Sequence, residues 1–188
     1  MLKNAVFVLL AIVFSPAISL AQTGAENPKN TAFIGGSQAK ALGPFLAKRI
    51  PDLMVETRPD SKAKDWTGNA GLGTGTCALE PDILIVVLGE SEEPKTMGTE
   101  RLTADFQELV DRFTVDRDNI KIIWIAPIIP DKTNQDKLLD SIQRVPGVIV
   151  LDFSDKNYPL EKSGEKKVKL APNAYKLWAA DIARAIGL

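Results

Sequence analysis

Histidine is absent from this chain, and no other absence restricts its chemistry as much. Imidazole is the side chain whose ordinary proton affinity suits acid–base work near neutrality, and it is the commonest metal ligand. A histidine-based catalytic triad and a histidine-bound metal are therefore both excluded. Cysteine occurs once, as Cys77, so an intrachain disulfide and a cysteine-bound structural zinc are excluded as well. Cys77 reads as a small buried hydrophobe. No apolar run is long enough to cross a bilayer as a stable helix. Neither sign of charge dominates: 23 Lys and Arg oppose 24 Asp and Glu, a net charge of −1. That balance argues against nucleic acid or an anionic membrane surface as the main partner.

The longest apolar run, Ala5 to Phe14, follows Lys3 and precedes Ser19-Leu20-Ala21. A short positive segment, an apolar core and small residues at the −3 and −1 positions are the marks of a secretory signal peptide. Residues 1–21 are expected to direct export and to be cleaved after Ala21, with the product periplasmic or secreted and without a stable membrane anchor. No cysteine stands directly after the run to carry a lipid. Residues 22–30 (QTGAENPKN) are polar and read as a flexible lead-in.

From residue 31 onward short apolar runs alternate with helical patterns. Strands are predicted at 31–35, 53–58, 83–88, 121–126 and 148–153. Helices are predicted over 39–50, through Leu102, Phe106, Leu109, Val110 and Phe113 on one face, over 134–144, and through Tyr175, Trp178, Ile182 and Ile186 at the C-terminal end. Ile83 to Leu88 (ILIVVL) is apolar on both faces, as a central parallel strand should be. Residues 59–80, rich in Gly, Thr, Ser and Asp, read as loop. Within them the stretch GNAGLGTGT (68–76) lacks the Lys-Ser/Thr ending of a phosphate loop. No cofactor fingerprint is present. Alternating strands and helices predict a single three-layer α/β/α domain, flavodoxin-like, with a five-stranded parallel sheet over 31–188. Sites in such sheets lie beyond the carboxyl ends of the strands, so the loops after the first, third and fifth strands carry the candidates.

Those loops resemble a known family. Ile34-Gly35-Gly36-Ser37 is similar to the Gly-Asp-Ser nucleophile block of the SGNH (GDSL-type) hydrolases. Pro81-Asp82, the ILIVVL strand and Gly89-Glu90-Ser91-Glu92 resemble the block that ends in Gly-x-Asn-Asp. Lys121 to Pro127 resembles the next strand. Residues 166–179 (KKVKLAPNAYKLWA) resemble the final segment, which usually reads Asp-x-x-His and then Pro-x-Gly-Tyr. The resemblance implies the same fold and makes Ser37 the candidate nucleophile. It places Gly36 on the family Asp, Ser91 on the Asn, Lys166 on the catalytic Asp and Lys169 on the catalytic His. Gly36, Gly89 and Ser91 are then the oxyanion or binding positions. For the second-block Gly, Asp60-Ser61 and Gly68-Asn69 both fit.

A serine hydroxyl needs a base to become a good nucleophile, and here the histidine position holds lysine. Lysine is a donor unless burial or nearby positive charge strips its proton. Lys169 stands among Lys162, Lys166 and Lys167, a run that reads as solvated surface. Glu90 and Glu92 read as solvated loop acids. Ser37 fits two roles, nucleophile or helix N-cap. Trp124 and Trp178 read as core, and Trp66 as a candidate for stacking on a ligand. The resemblance thus implies an exported protein of impaired catalysis that holds a small molecule, a glycan or a protein partner. The rival expectation is an esterase or acyl-transfer enzyme on acylated cell-envelope glycans, with Ser37 and Lys169 as a dyad.

Overall fold

The computed structural model describes residues 30–68, 72–92, 94–117, 119–163 and 167–187. The expected signal peptide and nearly all of the lead-in lie outside them, as do Asn69 and Lys166. Among the described residues no helix is long and apolar enough to cross a membrane.

The order of elements is β1 (Thr31–Gly35), α1 (Ser37–Leu46), β2 (Met54–Thr57), α2 (Thr74–Leu79), β3 (Ile83–Val87), α3 (Thr99–Thr114), β4 (Lys121–Ile125), α4 (Lys132–Gln143), β5 (Val148–Leu151), β6 (Leu160–Ser163), β7 (Lys167–Leu170) and α5 (Pro172–Ala185). The first five strands form one sheet in the order β2-β1-β3-β4-β5, every neighbouring pair parallel. This is the predicted three-layer α/β/α sandwich. The five predicted strands all form, each within two residues of its expected bounds.

Side chains of a strand alternate between faces, and the core divides accordingly. Ala32, Ile34, Leu84, Val86, Ile122 and Trp124 face one core, where Phe106, Leu109 and Phe113 of α3 and Leu138 and Ile142 of α4 close over them. Phe33, Ile85, Val87 and Ile125 face the other, covered by Leu42 and Leu46 of α1 and Trp178 and Ile182 of α5. Beyond Thr31 and Lys121 at their starts, the inner strands β1, β3 and β4 are apolar because both faces are covered.

Three segments differ from expectation. α1 ends at Leu46 rather than at residue 50, with Pro44 inside its last turn. Proline brings no N–H to extend the ladder and crowds the preceding carbonyls. Residues 59–80 are not bare loop: a 3-10 turn spans Ala63–Trp66 and α2 follows. Trp66 anchors that turn. It is fully buried, and its indole N–H donates to Ser61 Oγ at 3.0 Å. It is therefore a core residue and not a stacking platform. Finally, β6 and β7 pair as an antiparallel hairpin with Glu161 opposite Lys169, so Lys169 sits on a strand rather than in a loop.

Candidate functional site

The chain crosses from β1 outward to β2 on one side and to β3 on the other, so strand order reverses between β1 and β3. In a 2-1-3-4-5 sheet the crevice at that reversal, beyond the strand carboxyl ends, is where ligands bind. β1 leads into Ser37 and β3 into Glu90 and Ser91, so both loops open on this crevice. It forms a cleft of about 700 Å³. Ser37, Asp60, Glu90, Ser91, Glu161, Lys169 and Tyr175 line it. Phe45, Ile128 and Leu170 supply apolar wall.

The turn between β1 and α1 is tight because the backbones nearly touch. Gly36 N–H donates to Val87 O at 3.1 Å, and a Cβ on Gly35 would lie 2.1 Å from the same oxygen. Gly36, not Ser37, is the N-cap of α1, and no side chain of its own caps the helix. Glu90 does so instead: its Oε1 accepts from Gln38 N–H at 2.8 Å. Ser37 is therefore the first helical residue, and the N-cap role read from its sequence position belongs to a carboxylate from the β3 loop. This releases the Ser37 hydroxyl toward the cleft. It donates to Asp60 Oδ1 at 3.2 Å and accepts from Asp60 N–H at 3.1 Å.

Of the two sequence positions that fit the second block, the structure brings Asp60 to Ser37. Asp60 takes a left-handed backbone, φ 59°, which turns its amide toward the serine oxygen. Gly68 does not line the cleft, and Asn69 is outside the described residues.

Glu90 is not a solvated loop acid. Its Oε2 is buried and has no hydrogen-bond partner among the described residues. Burial raises its carboxyl above the ordinary range. The amides of Gln38, Glu90 and Ser37 pull in the opposite direction, and the Asp60 charge adds to the rise. The same amide of Ser37, at a helix N-terminus, is the kind of donor that would otherwise meet an anion. Glu92 is buried too, 5% exposed, and accepts from Ala63 N–H at 2.7 Å. It ties the β3 loop to the turn that carries Asp60. Burial raises its carboxyl, against the Ala63 amide and the Lys62 charge, with Asp105 and Asp65 adding to the rise.

Gly89, expected in the binding loop, has φ 126°, and a Cβ there would meet Leu138 at 2.7 Å. Its smallness serves packing against α4. Ser91 is half-buried on the cleft wall. Lys169 shares the cleft with Ser37, but its ammonium is paired with Glu161 at 3.1 Å, with 57% of its side chain exposed. Ser37 Oγ is bonded to Asp60 and not to this lysine.

Two residues that sequence reasoning passed over organise the site. Gln38 brackets Ile128, donating from Nε2 to its carbonyl at 2.9 Å and accepting its N–H at 3.0 Å. Its place one residue after Ser37 was the only sequence signal. Glu56 of β2 performs for α2 what Glu90 performs for α1. It accepts from Gly73 N–H at 2.6 Å, and from Thr76 N–H at 3.2 Å and Oγ1–H at 2.8 Å. The glycine-rich stretch is therefore capped by a carboxylate, which leaves a phosphate no place on those amides.

No family model matches the chain, and no curated protein matches it. Solved structures do. A lipolytic protein of the G-D-S-L family from Desulfitobacterium hafniense DCB-2 superposes with a TM-score of 0.63 at 17% identity, over 82% of this chain and 97% of that one. The C-terminal catalytic domain of Streptococcus pneumoniae peptidoglycan O-acetyltransferase A gives 0.62 at 18% identity, over 84% and 92%. A family two carbohydrate esterase from Clostridium thermocellum gives 0.64 at 10% identity, over 86% and 64%. The chain has the α/β fold shared by the SGNH (GDSL-type) hydrolases and these carbohydrate esterases.

Proposed function

We propose that this chain is an exported protein of SGNH fold that binds a ligand in the Ser37 cleft and does not hydrolyse esters there. The observation that carries the reading is the Glu90 carboxylate at the start of α1. Acyl transfer through a serine develops negative charge on the substrate oxygen, and donors preset at that point usually supply the largest share of catalysis. A carboxylate in that position answers the donors beforehand and repels a second anion. The serine also lacks an imidazole base, and the acceptor its hydroxyl meets is the Asp60 carboxylate. No histidine exists in the chain, and Lys169 is engaged with Glu161 as a donor. General-base help is worth about 10²–10⁴ in rate, and loss of one oxyanion donor costs about 10²–10³.

Two experiments test this. Turnover of a simple acetyl ester by the native protein is expected to equal that of Ser37→Ala from pH 6 to 10. Turnover that Ser37→Ala abolishes, rising with an alkaline midpoint, would establish the Ser37–Lys169 dyad instead. Mass spectrometry of protein recovered from the periplasm or medium is expected to give Gln22 as the first residue. Intact Met1 would end the export reading.

A further inference from the structure

We draw no further inference here: the strongest candidate, the cleft of about 600 Å³ between the residues that lead into β3 and those that lead into β4, lined by Glu80, Asp82, Asp116 and Arg117, carries nothing, because Arg117 is turned to the Cys77 carbonyl and nothing in the structure shows what occupies the cleft.

Discussion

The Glu90 carboxylate occupies the room that a side chain on Gly36 would need. A Cβ at position 36 would lie 2.5 Å from Glu90 Oε1, the oxygen that caps α1 through Gln38. The resemblance to the SGNH hydrolases leads one to expect Asp at position 36. This chain places glycine there and brings its acid from the β3 loop. A side chain at position 36 and the Glu90 carboxylate cannot both hold these places, so one of them must shift to admit the other.

Gly36→Asp alone is therefore expected to destabilise the protein by about 1–3 kcal/mol, the usual cost of overfilling a packed site. Combined with Glu90→Ala the loss should shrink, with a coupling of about 1 kcal/mol or more, as neighbours that compete for one space require. Denaturant unfolding of the four proteins measures it. Strictly additive losses would show that the two side chains do not meet. By the same argument, rebuilding a triad with Gly36→Asp, Ser91→Asn, Lys166→Asp and Lys169→His is expected to require that the Glu90 carboxylate be moved aside as well.

The raised carboxyls give stability a definite pH dependence. A folded Glu90 that holds its proton above pH 4.5, where the unfolded chain releases it, binds more protons than the unfolded state. Stability then falls as pH rises from about 4.5 through the raised value. Glu92 acts in the same sense. Glu90→Gln removes the Glu90 share. The variant is expected to match the native protein near pH 4 and to melt higher than it at pH 7. Thermal unfolding across that range decides it, and a native protein that gains on the variant as pH rises would contradict the assignment.

Much of this was legible in the residues, and what was not has physical causes. The central strands were readable because strands covered on both faces are apolar nearly throughout, as Ile83 to Leu88 is, and the edge strands because short apolar runs alternate with the helices. Ser37 was placed at the carboxyl end of β1 by the same pattern. Glu90 and Glu92 were misread because an isolated acid in a loop carries no local sign of burial; only the amides of Gln38 and Ala63, far off in sequence, reveal it. Trp66 was misread for the opposite reason. Its polar, glycine-rich surroundings suggested an open loop, whereas contact with α3 and the Ser61 bond draw the ring inside. The β6–β7 hairpin hid in a lysine-rich stretch because short exposed strands carry little apolar signal.

Trp66 accordingly makes a sharp prediction about the segment that presents Asp60. Trp66→Ala should cost about 3–5 kcal/mol, as large cavities in cores do. Trp66→Phe should cost far less in packing but lose the Ser61 bond, worth about 1 kcal/mol. Denaturant unfolding of the two variants measures both losses, and a Trp66→Ala loss no larger than that of Trp66→Phe would return the ring to an open loop.

The central claim is that Ser37 is not an activated nucleophile, and covalent labelling addresses it most directly. A fluorophosphonate reacts with a serine only where a base and an anion hole act on it. Native protein and Ser37→Ala, incubated with the reagent at pH 7 to 9 and weighed intact, are expected to have no adduct. A single adduct on the native protein that maps to Ser37 and is missing from Ser37→Ala would contradict the account.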